Sequence, residues 1–215
     1  MKPQATSGAA WPVREKKKSG RPARETRPTL DLDAVIDAAL RVFNQHGFEA
    51  TSMQDIAREA GLSKSSIYHH VSSKEELLAR ALERAFVPLF AIFDDPLAMQ
   101  RDALDCLKFV FHRVILITLQ FNHEVDLLQR IKGNSPTERA ALERRHRVDR
   151  AVAIIARTAI RAGQLRPDID PALLTRLLFG MSNSATQWYQ PGGKLSPEEI
   201  ADAMLKLVFE GIALA

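Results

Sequence analysis

From Asp31 onward, apolar residues return every three or four positions, and short polar clusters start and stop each run. In "LDAVIDAALRVFNQH" the apolar stripe is Ile36, Ala39, Leu40 and Phe43, which fall on one face of a helix. Asp31 can cap that helix and Gly47 stops it. "TSMQDIAREAG" follows, with Thr51 or Ser52 as cap and Gln54 or Asp55 three residues on, close to a capping box. Ile56 and Ala57 face inward there, and Gly61 ends the helix. Ser63 caps a short third helix within "GLSKSSIYHH". "SKEE", Ser73 to Glu76, reads as another capping box, and Leu77, Leu78, Ala81, Leu82 and Phe86 continue at helical spacing.

The same punctuation recurs downstream. Asp95-Pro96 predicts a helix through Phe121, because proline is preorganised for the first helical position. "EVDLLQRIKG" predicts a shorter helix stopped near Gly133. Ser135, Pro136 and Glu138 start a long one that runs to Ala162 and ends at Gly163. Asp170-Pro171 opens another through Tyr189, broken by "PGG", and Ser196 to Glu199 start the last, which runs to Ile212. No Asn-Gly or Asp-Gly turn separates alternating runs, and no internal repeat is visible. The pattern predicts an all-α protein.

Residues 31–71 carry three short helices, the second and third joined by the tight turn "AGLS". That is the plan of a helix-turn-helix, with Ile56, Ala57, Leu62 and Ile67 packing the pair. With Ile67 as the inward reference, rotation of about 100° per residue turns Ser65 and His69 outward, near 160° and 200°. Ser66 and Tyr68 flank them, Lys64 sits at the first turn, and His70 falls nearer the packed side. The outward set is rich in hydrogen-bonding groups and holds no acid, which suits phosphates and base edges. Adjacent histidines diverge on a helix and share no face, so His69 and His70 do not read as a metal pair.

Charge sharpens this picture. Residues 1–27 hold Lys2, Arg14, Lys16, Lys17, Lys18, Arg21, Arg24 and Arg27 against Glu15 and Glu25, a net of +6. The whole chain is +4, so residues 28–215 are net −2. The first 28 residues also carry four prolines and few apolar residues, and they read as a disordered basic arm. Such an arm suits a polyanion, and Lys17 and Arg21 are its candidate DNA contacts. Residues 31–80 hold eight acids against five cations, so the arm is expected to compensate on phosphates or in the minor groove.

The chain of 215 residues is 46% hydrophobic, enough for a sizeable core. No apolar run of roughly 18 residues or more appears, and the N-terminus has no apolar signal region. The lone Cys106 lies in an apolar stretch and reads as a buried thiol of a cytoplasmic protein. No nucleophile elbow, Gly-rich phosphate loop, H-E-x-x-H or His/Cys cluster occurs, so neither an enzyme nor a cofactor or metal site is expected.

The stretch "AALRVFNQHGFEATSMQDIAREAGLSKSSIYHHVSSKEELLARAL" resembles the DNA-binding domain of TetR-family transcriptional regulators. The resemblance rests on "A-L-x-x-F-x-x-x-G", "T-S-M-x-x-I-A-x-x-A-G-L-S", "I-Y-H-H" and "S-K-E-E-L", with Val71 where the family usually has phenylalanine. It implies an N-terminal helix-turn-helix DNA-binding domain over residues 29–88 and a helical effector-binding and dimerisation bundle over 89–215. It further implies that Thr51, Ser52 and Lys74 touch phosphate, that Lys64, Ser65 and His69 face bases, and that Ser66, Tyr68 and His70 contact backbone or pack beside it. For Thr51, Ser63 and His70, capping or packing is the competing role.

In the C-terminal half, "R-P-D-I-D-P" followed by "W-Y-Q-P-G-G-x-L-S-P-E-E-I-A" is similar to a TetR subgroup that controls fatty-acid, steroid and aromatic-acid breakdown. Members of that subgroup commonly respond to acyl-CoA thioesters. The resemblance implies a repressor that binds a palindromic operator as a homodimer and is released by a small hydrophobic effector. Phe109, Phe121 and Trp188 are candidates for an apolar slot, and Arg113, Arg147 and Arg150 for the positive charge a CoA-like ligand needs. The last two long helices are the expected dimer pair. A constitutive DNA-binding protein without effector, or a helical enzyme or carrier, are the alternatives.

Overall fold

The structure is a computed structural model and describes residues 31–96 and 100–211; the basic arm, with Lys17 and Arg21, lies outside the described residues. The described residues form nine helices and no strand. These are α1 (Leu32–His46), α2 (Met53–Glu59), α3 (Lys64–Tyr68), α4 (Lys74–Ala91), α5 (Ala103–Gln120), α6 (Asn122–Arg130), α7 (Pro136–Arg161), α8 (Pro171–Trp188) and α9 (Pro197–Phe209).

Most start signals act as the sequence predicts. Asp31 accepts the Asp33 N–H at the head of α1, and reciprocal capping boxes open α2 (Ser52 with Asp55), α7 (Ser135 with Glu138) and α9 (Ser196 with Glu199). Each satisfies N–H groups that the first helical turn leaves unpaired.

Three expectations are corrected. The helix expected from Asp95-Pro96 is not continuous: residues 100–102 lie outside any helix, and Asp102 caps α5 by accepting the Asp105 N–H at 2.9 Å. The box expected at Ser73 is split. Ser73 accepts the Glu76 N–H, but the Glu76 carboxylate accepts instead from the Ser72 N–H (2.8 Å) and hydroxyl (2.9 Å). Those bonds, with Arg80, hold the Glu76 carboxyl down to about 2. α6 stops at Arg130, before Gly133, because Ile131 turns extended and buries itself.

Two apolar clusters organise the packing. The first joins α1–α4 around Phe43, Ile56, Ile67, Leu77 and Phe86, and it is completed by Leu127, Leu128 and Ile131 at α6 and Ala141 on α7. The second surrounds α5, whose buried positions (Cys106, Leu107, Val110, Phe111, Val114, Ile115, Ile117, Thr118 and Leu119) cover most of its circumference and leave Arg113 and Gln120 in solvent. A helix buried over so wide a face belongs at the centre of a bundle, and α4, α7, α8 and α9 pack on it. A buried polar pair in that centre is hydrogen-bonded, Ser182 Oγ donating to Thr118 Oγ1 at 3.1 Å. Cys106 is buried and free, and burial pushes its thiol pKa up. The boundary expected between 88 and 89 falls inside α4, and Leu89 packs against both clusters.

Candidate nucleic-acid interface and ligand cavity

The α2–α3 turn is built from backbone geometry. Gly61 adopts φ +67°, a conformation that a side chain disfavours. It lets the Leu62 N–H reach the Ala57 carbonyl (2.9 Å) while the Gly61 N–H reaches Arg58 (3.2 Å). Ser63 then accepts the Ser66 N–H at 3.1 Å and starts α3. Ile67 is fully buried and Val71 nearly so; between them they lock α3 against α1, α2 and α4. Truncating Ile67 would cost about 2–5 kcal/mol, enough to free the helix.

What α3 leaves outside is Lys64, Ser65, Tyr68 and His69, all exposed, with Tyr68 at 46%. The Lys64 ammonium lies 5.8 Å from the Tyr68 ring centroid, a cation over an aromatic face. Ser66 is half-buried, and its hydroxyl is tied to Ser63 at 2.7 Å, so this pair belongs to the cap. His70 is exposed, not packed: it follows the end of α3 at Tyr68, and Val71, whose N–H still reaches the Ile67 carbonyl (3.1 Å), takes the inward place.

Three residues expected at phosphate are engaged within the fold. Thr51 is buried and its hydroxyl donates to the Gly47 carbonyl at 2.7 Å. Ser52 is exposed, but its hydroxyl donates to Asp55 at 2.6 Å. Lys74 directs its ammonium at the carbonyls of Phe48 (3.0 Å), Glu49 (3.0 Å) and Thr51 (2.9 Å), using all three donors to tie the α1–α2 connection to α4. Lys74→Met is therefore expected to cost about 1–3 kcal/mol of stability in urea unfolding. The salt dependence of DNA binding should stay as it was, whereas a phosphate-bound lysine would lower the slope by about one per copy.

A cavity of about 420 Å³ opens among α4, α5, α6, α7 and α8. Phe86, Leu89, Val114, Ile117, Val125, Leu128 and Phe179 give it apolar walls. Arg145, His146 and Asp149 from α7 and Arg176 and Asn183 from α8 form a polar, cationic side. Burial raises the Asp149 carboxyl above its ordinary range, against the pull of Arg145, His146, Arg176 and Arg150.

None of the six expected ligand residues lines this cavity. Phe109 lies under Arg101, with the guanidinium 4.9 Å from the ring centroid. Arg113 is exposed, and Phe121 ends α5 and packs on the second cluster. Arg147 is exposed over Phe90, Arg150 pairs with Glu143 at 2.7 Å, and Trp188 is 51% exposed beside the α8–α9 connection. The basic run "RRHRVDR" does reach the cavity, through Arg145, His146 and Asp149, because a helix turns only one face of such a run inward. Arg176, Phe86 and Phe179 carry no local signal of their position.

α6 stands between the cavity and the helix-turn-helix. Val125, Leu128 and Gln129 line the cavity, while Leu127 joins the first cluster. Asn44 of α1 donates to the His123 carbonyl at 2.9 Å. Arg84 of α4 reaches Asp33 (2.8 Å) and Asp37 on α1 and Glu124 (3.7 Å) on α6, tying three helices together. Glu124 is buried, and burial raises its carboxyl pKa, with Arg84 acting in the opposite direction.

Comparison with known proteins agrees with this geometry. Residues 35–81 match the bacterial regulatory proteins of the tetR family, and residues 100–212 match the tetracyclin repressor-like C-terminal domain. The solved structure of SCO3833, a TetR-family regulator from Streptomyces coelicolor, is 42% identical, with 84% of this chain and 91% of that one covered and a TM-score of 0.79. The transcriptional repressor KstR2 of Mycolicibacterium smegmatis is 27% identical over 89% of this chain and 95% of its own. AibR, solved with isovaleryl coenzyme A and operator DNA, is 25% identical at a TM-score of 0.67, covering 82% of this chain and 97% of that one. These relatives are regulators of transcription, not enzymes. The C-terminal match alone spans more than half the sequence, and together with the helix-turn-helix it shows that the chain belongs to the TetR family of bacterial transcriptional regulators.

Proposed function

We propose that this protein is a repressor that holds a palindromic operator as a dimer and releases it when an acyl-CoA thioester enters the cavity. The observation that carries the reading is the position of α6, which walls the cavity on one side and holds α1 and α4 on the other. A ligand shifts an equilibrium only by its differential affinity for two states. One that repacks Val125 and Leu128 acts on the same helix that positions the reading head.

The cavity chemistry supports an amphipathic anion. Its volume lies at the lower end of small-molecule sites, so it holds an acyl group and leaves the bulk of coenzyme A outside. Arg145, His146 and Arg176 on the polar side suit the thioester carbonyl and phosphates. The likeness to AibR, solved with isovaleryl coenzyme A, favours a short acyl chain. A second copy would cover the exposed Leu173 and Leu177 on α8 and Leu207 on α9, and two α3 helices would then enter major grooves about one DNA turn apart.

The test is a footprint on the DNA upstream of the protein's own gene, followed by calorimetry with short acyl-CoA thioesters, the free acids and coenzyme A alone. A palindromic footprint and binding of the thioester alone are expected; binding of none of the three would leave a constitutive DNA-binding protein. Arg145→Ala should weaken thioester binding by roughly tenfold or more, the worth of one charged hydrogen bond, with operator binding unchanged.

A further inference from the structure

We infer that the effector's acyl chain carries an oxygen of its own, a hydroxyl or keto group beyond the thioester, and that this oxygen accepts a hydrogen bond from Thr118 in the cavity. This rests on the acyl-CoA reading above and narrows its ligand class. The reason is one buried hydroxyl proton. Thr118 of α5 lines the cavity and is only 3% exposed. Its oxygen accepts from Ser182 of α8 at 3.1 Å, and Ser182 is fully buried and does not line the cavity. A hydroxyl that accepts still has its own proton to give. Threonines inside helices can return that proton to the carbonyl four residues back, as Thr158 does to Ile154 (3.0 Å) and Thr175 to Pro171 (2.8 Å). Thr118 does not: among the described residues, the bond from Ser182 is the one its side chain makes. The Thr118 donor is left for the cavity, and a buried donor without an acceptor is costly.

The place of Thr118 says which part of the ligand meets it. His146 of α7 and Arg176 of α8 are exposed, so the cationic side of the cavity is its mouth. Thr118 belongs to the central helix and shares an apolar wall with Val114, Ile117, Phe86 and Leu89, all of them buried or half-buried. With coenzyme A held at the mouth, the group that reaches this wall is the acyl chain. A purely hydrocarbon chain covers the Thr118 donor and leaves it unpaired, whereas an oxygen on the chain pairs it. A site with a buried group placed to bond a ligand oxygen discriminates against the analogue that lacks it.

The test is calorimetry with butyryl-CoA, β-hydroxybutyryl-CoA and γ-hydroxybutyryl-CoA on three forms of the full chain: wild type, Ser182→Ala, and Thr118→Val combined with Ser182→Ala. The double variant removes both hydroxyls of the buried pair and so orphans neither partner, and urea unfolding checks its fold. Wild type and Ser182→Ala should bind at least one hydroxylated thioester about tenfold more tightly than butyryl-CoA, the worth of one hydrogen bond to an otherwise unpaired donor. In the double variant that preference should fall below about twofold. Equal affinity of wild type for all three thioesters would overturn the inference, the Thr118 proton then being served by water. So would a preference that survives in the double variant; an equal loss for all three ligands would then place the thioester carbonyl on Thr118. Wild-type protein that binds none of the thioesters would remove the acyl-CoA reading itself, and the inference with it, a result distinct from either.

Discussion

Arg84→Met is expected to destabilise the protein by roughly 2–4 kcal/mol near neutral pH, somewhat below the loss typical when a buried ion pair is broken. The discount reflects exposure: the Arg84 side chain is 24% exposed and Asp33 and Asp37 are largely in water, so those two contacts contribute little. Glu124 is the partner that matters, with a side chain only 9% exposed. Without Arg84, its carboxylate is deprived of the counter-charge that opposes desolvation. The sign with pH follows. Burial raises the folded-state pKa of Glu124, so folding favours the protonated form. That advantage is complete below the unfolded pKa, about 4.3, and is lost as pH rises through the folded value. Arg84→Met should raise the folded value further, so its cost in urea unfolding should be large near neutral pH and shrink toward pH ~5. Glu124→Gln in the same chain should recover most of the loss. An equal loss at both pH values, with no recovery, would show that Arg84 acts through α1 alone.

The second large effect concerns the reading face. Ser65→Ala combined with His69→Ala should weaken operator binding about a thousandfold while leaving folding intact, because both residues are exposed. Each base contact is worth at least about 1 kcal/mol, and a two-fold dimer counts each substitution twice, giving roughly 4 kcal/mol. Binding to unrelated DNA should change by less than about threefold, since phosphate contacts carry no sequence information. His70→Ala and Ser66→Ala, by contrast, should leave operator preference as it is. A uniform loss on all DNA would place Ser65 and His69 on phosphate instead of bases.

These expectations depend on features that are unequally legible in the sequence. Caps and turns are local, so Ser52, Ser63, Ser135, Ser196 and the Gly61 turn can be read from a few neighbouring residues. The outward face of α3 follows from a single buried reference, Ile67, as far as the helix runs. Beyond Tyr68 it still places Val71 inward, where it is buried, but His70 stands in solvent where the rotation sets it nearer the packed side. Long-range contacts carry no such signal. Nothing beside Lys74 in the sequence says that its ammonium meets three carbonyls more than twenty residues away. Nor does the run from Arg144 to Arg150 reveal which face meets α8 and closes a cavity; Arg145 faces it, while Arg150 turns to Glu143. Phe109 and Phe121, expected to line the ligand site, belong to α5 and its end, but α5 turns Val114 and Ile117 to the cavity, while Phe109 and Phe121 pack on the second cluster.

The proposed coupling through α6 makes one further demand: cavity and operator must be linked in both directions. A ligand that weakens operator binding must itself bind less tightly when operator is present, by the same factor. Titrating a short-chain acyl-CoA against the free protein and against the protein–operator complex measures that factor directly. Affinity should be at least about tenfold lower for the complex, the usual scale of such coupling, with no measurable binding to either form when Val125→Trp fills the cavity. Equal affinity for free and operator-bound protein would contradict a switch that runs through α6.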